Sequence, residues 1–579
     1  MLNSAPVPLQ AILWPLLGAV TILIVGRFAP NWLRRLVALL AVAGSLSALW
    51  SLRTAGATQV EFFWEPLNFF RLSPTLFPDS LTLLAGFGLC IVTAATVLGI
   101  VGSRPQKTLW HGLVLITLSG SLIVAMGTNL ITLALGSALI DLTLIAMAVS
   151  VEEEGRVAWR TVLPGILSTL LLFAAALRMD TQVGTASLLA RGLLDEVAVV
   201  IGVAGLLRLM VLVLLPGATR TPEHAAVLIL PTVAGLYLLA RVQVLIPVLV
   251  DQSWVLVAGG AMLVIGGFVA WVAVLPVDRR RHTSGTLDGL PASPVSLASQ
   301  EDQPDTGRAA VAVQAAALPQ REQPSRVNGE PSPDAELKDA RAGAVDELCR
   351  DAWPGLSAHQ VGLALGFVVL LGGLVPWPLL GLPFALGTLV IWWDASLERE
   401  GGPRPRWLDW FVRQLASPED RPQTAPDAQV TSRRWLLGTG WIRAVSVLPL
   451  AIVLGSLIGV PFTIGAAVRW TFYAALMDMG RAPLLLATLV GDLLLVAALY
   501  VHLRKAIRQR KVHRLRLPAL VGMFALAALV IILGISPGVV TDSWGFQTSE
   551  SPNASVWGLG LVYVLPWLLG IWLARSGSE

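Results

Sequence analysis

Residues 444–476 read AVSVLPLAIVLGSLIGVPFTIGAAVRWTFYAAL, with Arg469 as the one charged residue. An unbroken helix over this stretch would run about 50 Å at 1.5 Å per residue. The hydrocarbon core of a bilayer is only about 30 Å thick. Gly459 and Pro461 stand near the middle, and proline removes a backbone donor and clashes with the preceding turn. The stretch therefore reads as a membrane helix broken near 459–461. Such breaks free backbone groups at membrane depth and recur at ion sites in transporters; a simple proline kink is the plainer alternative. Arg469 follows the break by about two turns.

The rest of the chain repeats the apolar pattern. Its 579 residues are 55% hydrophobic and 13% charged, with a mean hydropathy of +0.71. A soluble domain carries about 25% charged residues, so lipid is the expected solvent. Apolar blocks of spanning length fall near 9–28, 32–52, 79–102, 109–126, 130–150, 160–178, 197–216, 225–247 and 254–277. They resume near 357–375, 379–393, 443–476, 483–503, 517–536 and 556–574. Strand alternation is absent, which excludes a barrel. The expected fold is all-α: a polytopic transmembrane helix bundle of about 14–15 spans, with paired inverted five-helix repeats starting near spans four and nine.

Three regions follow. Residues 1–277 form a membrane domain of spans one to nine. Residues 278–355, rich in Pro, Gln, Ala and charge, read as a disordered cytoplasmic linker. Residues 356–579 carry spans ten to fifteen and a polar loop, 396–434, whose WLDWFVRQL segment has an interfacial pattern. The first apolar stretch lacks a basic region before it and reads as a span rather than a signal peptide. The two cysteines, Cys90 and Cys349, suggest neither a disulfide framework nor a metal site.

Basic residues orient the bundle. Arg27, Arg34, Arg35, Arg104, Lys107, Arg279, Arg280, Arg281 and the run from Arg504 to Arg516 all follow odd-numbered spans. The positive-inside bias puts those loops and the linker in the cytoplasm and the N-terminus outside. The net charge of +4 is thereby accounted for without a nucleic-acid partner.

Charges at bilayer depth are costly and usually functional. Asp141, Arg208 and Arg469 lie deepest by counting, and Asp492 lies part-way down its span. Asp141, Arg208, Arg469, Asp492 and His359 are the candidates for a proton or ion path. They serve equally as buried pairs that fix helix packing. His359, Arg241 and Asp394 sit near span ends, where snorkelling to the interface is the simpler reading. No zinc-protease, phosphate-loop, CxxC or dinucleotide motif is present. No catalytic residue, metal or cofactor is expected.

Ser456-Leu-Ile-Gly-Val-Pro-Phe-Thr-Ile-Gly465 with Arg469, and Ala234-Gly-Leu-Tyr-Leu-Leu-Ala-Arg241, are the most specific motifs in the chain. With Thr221-Pro222, Gly127-Thr-Asn-Leu-Ile-Thr-Leu133 and Leu533-Gly-Ile-Ser-Pro-Gly538, they resemble the antiporter-like membrane subunits of respiratory complex I, membrane-bound hydrogenases and Mrp-type cation/proton antiporters. The likeness covers nearly the whole chain in order, with the linker as an insertion and span fifteen as an extension. It implies a bacterial inner-membrane subunit that works beside other membrane subunits. The associated activity would be proton or sodium translocation coupled to redox chemistry elsewhere, as in an NADH:quinone oxidoreductase-like or hydrogenase-like complex.

The resemblance also implies a relay: a glutamate on helix five, lysines on helices seven and eight, and a lysine or glutamate on helix twelve. This chain departs from it. Ser137-Ala138 occupies the place of the helix-five Trp-Glu, with Asp141 three residues on. Val233 occupies the place of the helix-eight lysine. Arg208 and Arg469 stand for the other two lysines, and Leu215-Pro-Gly-Ala-Thr-Arg-Thr-Pro222 lacks a longer loop. A guanidinium keeps its proton even when buried. The expectation is a retained fold with an impaired relay, and an Asp141–Arg208 charge-compensating pair. Two other functions fit the bulk pattern: a stand-alone secondary transporter of a small solute, and a membrane scaffold or assembly protein.

Overall fold

Helices form where apolar blocks of spanning length lie. The computed structural model describes residues 6–26, 28–55, 60–61, 74–100, 107–150, 155–183, 188, 195–213, 222–245, 378–396, 432–478, 480, 482–508, 517–535 and 556–576, with isolated positions at 261, 264–265, 267–268 and 271. Among them are fourteen helices: α1 (Val7–Ile24), α2 (Asn31–Ala55), α3 (Ser80–Gly99), α4 (Lys107–Met126), α5 (Leu130–Ser150), α6 (Gly155–Val183), α7 (Asp195–Val213), α8 (Pro222–Leu245), α9 (Pro378–Ser396), α10 (Ser432–Leu457), α11 (Ile464–Asp478), α12 (Ala482–Arg508), α13 (Leu517–Ile535) and α14 (Val556–Ser576). Nine of these, α1 to α6, α8, α12 and α13, are long and apolar enough to cross a membrane. Shorter apolar helices lie within α9, α10 and α14.

The expected linker 278–355, span ten and most of loop 396–434 lie outside the described residues, and span nine is described only at isolated positions. Two short strands, β1 (Val60–Glu61) and β2 (Thr75–Leu76), pair antiparallel, and Leu76 also bridges to Gly127 at the α4–α5 turn.

Helices α4 to α8 pack in sequence, each against the next. Small residues set the closest crossings, as expected where lipid removes the hydrophobic drive for association. A Cβ added to Gly136 on α5 would lie 2.9 Å from the carbonyl oxygen of Gly120 on α4. One added to Gly235 on α8 would lie 2.8 Å from the carbonyl oxygen of Gly205 on α7 and 2.9 Å from the Cβ of Arg208. Helix α9 fits among α3, α8 and α13, and α14 packs on α12.

The break expected near 459–461 separates α10 from α11. Helix α10 ends in a Schellman motif: Val460 N donates to Gly455 O at 2.8 Å and Gly459 N to Ser456 O at 3.0 Å. Gly459 takes the left-handed conformation this motif needs, with φ 78°. Phe462 is also left-handed, at φ 67°, which is costly for a bulky residue. Orphan groups on both sides are satisfied across the gap. Ser456 Oγ accepts from Gly465 N in the first turn of α11 at 3.2 Å. Arg469 Nη2 donates back to Leu457 O, at the end of α10, at 2.9 Å.

Candidate functional site

Among the described residues, ion pairs that involve buried charges occur at three places. The first joins α5, α6 and α7. Asp141 and Arg208 are buried, the latter completely. Arg208 Nη2 lies 3.2 Å from each carboxylate oxygen of Asp141. It also donates to Ser137 O at 3.1 Å and Thr169 Oγ1 at 2.9 Å. Thr169 in turn donates to Asp141 Oδ2. The hydroxyl oxygen accepts from the guanidinium, so its single proton points at the carboxylate.

Helix α6 reaches this close because Gly165, one turn before Thr169, has no side chain. A Cβ there would lie 2.6 Å from Asp141 Oδ1. Neither Gly165 nor Thr169 was singled out by sequence reasoning. Their i, i+4 spacing on an apolar helix is the only signal, and it does not reveal what faces them.

The second cluster joins α11 and α12. Arg469 forms an ion pair with Asp492, and the Tyr473 hydroxyl donates to the same carboxylate. All three are buried. Arg469 thus holds an acid on one side and closes the broken helix on the other. A cation beside the last carbonyls of a helix is favoured by their partial negative charge.

A third pair ties α3 to α8: Arg241 contacts Asp79. Asp79 also caps α3, accepting from Thr82 N at 2.8 Å. Tyr237, one turn before Arg241, lies 3.2 Å from the Thr82 hydroxyl. Snorkelling was the simpler sequence reading for Arg241 and Asp394. The structure corrects this: Arg241 is 2% exposed and paired, and Asp394 is 7% exposed. Side chains near span ends remain inside the bundle where a neighbouring helix end supplies a partner.

The sequence candidates therefore divide. Asp141 meets Arg208, and Asp492 meets Arg469. Gly459 and Pro461 lie in the break, with Pro461 exposed. His359 lies outside the described residues. Val233 on α8 is fully buried and apolar. One arginine opposite one carboxylate gives no net charge at either cluster, and helix packing holds both groups in place.

Solved structures share this arrangement of helices. The Mrp complex from Dietzia sp. DQ12-45-1b aligns with a TM-score of 0.61 and 13% identity, over 98% of this chain. The chain spans only 56% of that Mrp chain. The membrane-bound sulfane sulfur reductase, an archaeal respiratory membrane complex, aligns at 0.57 and 14% identity, over 98% of this chain and 85% of its own. Respiratory complex I from Thermus thermophilus aligns at 0.52 and 16% identity, over 92% of this chain and 98% of its own. No family model and no curated protein matches the sequence.

Proposed function

We propose that the chain is an antiporter-like membrane subunit of an Mrp-like or complex-I-like assembly whose own proton relay is impaired. The fold shared with subunits of such complexes supports the first part. The pairing of each deep arginine with an aspartate, Asp141 with Arg208 and Asp492 with Arg469, carries the second.

A relay needs groups that change charge in turn. Arginine does not release its proton under physiological conditions, and each deep aspartate is tied to one of these arginines. Val233 stands where the resemblance puts the helix-eight lysine that passes the proton on, and it has nothing to titrate. The charges then act as ties between helices. Removing one member of such a pair costs about 3–5 kcal/mol, because the other is left buried and uncompensated. The subunit would lie in a bacterial inner membrane with its N-terminus outside and residues 278–355 in the cytoplasm. It would stand beside active subunits and transmit or scaffold ion movement driven by redox chemistry elsewhere.

Purification of the tagged full chain from native membranes in a mild detergent tests the assembly. Other polytopic membrane subunits should co-purify in fixed ratio. A monodisperse particle containing this chain alone would refute a subunit role and leave the solute-transporter reading.

A further inference from the structure

Arginine usually meets a carboxylate as a fork, with two parallel N–H groups against two oxygens. Arg208 does not. One nitrogen, Nη2, takes every contact: Thr169 Oγ1 at 2.9 Å, Ser137 O at 3.1 Å, and Asp141 Oδ1 and Oδ2 each at 3.2 Å. Its Nε and Nη1 are buried with no hydrogen-bond partner among the described residues. An NH2 group carries two hydrogens and cannot aim them at four oxygens. The geometry is that of a point charge inside a ring of oxygens.

We propose that α5 and α6 form a coordination site for a monovalent alkali cation, and that Nη2 of Arg208 fills it as a tethered cation. The ligands are a carboxylate, a hydroxyl and a main-chain carbonyl, the oxygen donors that hard cations take. Together they carry one negative charge. A divalent ion would leave an unbalanced positive charge in a buried site, which is costly. All of these oxygens come from α5 and α6. Ser137 and Asp141 are one turn apart on α5. Gly165 brings α6 onto the carboxylate, and Thr169 sits one turn further along α6. The Ser137 hydroxyl, buried and without a hydrogen-bond partner among the described residues, is a further oxygen at the same turn. This inference rests on the reading of Arg208 as a fixed charge and names the kind of free cation whose place that charge takes in the oxygen ring.

The test uses the full chain, purified in detergent, with thermal unfolding followed in NaCl, KCl or choline chloride at equal ionic strength. Wild type should melt alike in all three salts. Arg208→Ala should melt well below wild type in choline and recover by several degrees as Na⁺ or K⁺ is added. Asp141→Asn/Arg208→Ala, which lacks the charge, should show no such dependence. If Arg208→Ala fails to fold in choline, recovery of folded protein in NaCl or KCl supports the site. Failure in all three salts, with the double variant folding in all, overturns it. An Arg208→Ala protein that is indifferent to alkali cations also overturns it. Neither negative result touches the impaired relay, which is measured by proton flux.

Discussion

Alanine at position 165 would put a methyl group 2.6 Å from Asp141 Oδ1, where ordinary contact begins near 3.4 Å. The oxygen would have to retreat by about 0.8 Å, the difference of those two distances. It has little room, because Arg208 Nη2 and the Thr169 hydroxyl hold the same carboxylate. Overpacking of this kind costs about 1–3 kcal/mol. Against it stands the helix preference for alanine over glycine, about 1 kcal/mol. Gly165→Ala is therefore expected to be neutral to about 2 kcal/mol destabilising. A double-mutant cycle separates the two effects. With Asp141→Ala the clash vanishes and only the helix gain remains, so the coupling should be about 1–3 kcal/mol. Gly202→Ala on α7 is the control: a Cβ there meets nothing within 4 Å, and the change should stabilise by up to about 1 kcal/mol. Reversible unfolding in mixed micelles measures all of these. Additivity of Gly165→Ala and Asp141→Ala within about 0.5 kcal/mol would refute the placement of α6 on the carboxylate.

Other perturbations follow from the same contacts. Asp492→Asn leaves Arg469 buried without its counter-charge and should destabilise by about 3–5 kcal/mol, with partial recovery when Arg469→Met is added; equal stability of the two variants would count against the pair. Tyr473→Phe removes one hydrogen bond to that carboxylate and should cost about 1.5–3 kcal/mol, read from the same unfolding curves. Phe462→Gly should raise stability by about 1 kcal/mol, since the residue is 72% exposed and left-handed. Asp79→Ala should cost less than Asp492→Ala, because the Asp79 side chain is 29% exposed, although α3 also loses its cap, worth about 1 kcal/mol.

Much of the architecture was legible because a bilayer imposes a length on every apolar block. The break was legible because proline cannot continue a helix. What the sequence did not show was how the break is closed: the contacts of Ser456 with Gly465 and of Arg469 with Leu457 arise only once α10 and α11 are placed end to end. Asp141 and Arg208 stood out as charges at depth, and their mutual contact follows from α5, α6 and α7 packing in order. Thr169 and Gly165 were not legible, since one hydroxyl and one glycine on an apolar helix have no distinguishing pattern. Asp79 and Arg241 lie 162 residues apart; Arg241 reads locally as a span-end residue, and Asp79 has no distinguishing pattern. Only the packing of α3 and α8 makes them partners.

Proton movement by the purified chain in liposomes, followed with a pH-sensitive dye under an imposed potential, tests the fixed-charge account most directly. Wild type and Asp141→Asn should both match empty vesicles. Flux well above that background in wild type, abolished by Asp141→Asn, would contradict the account.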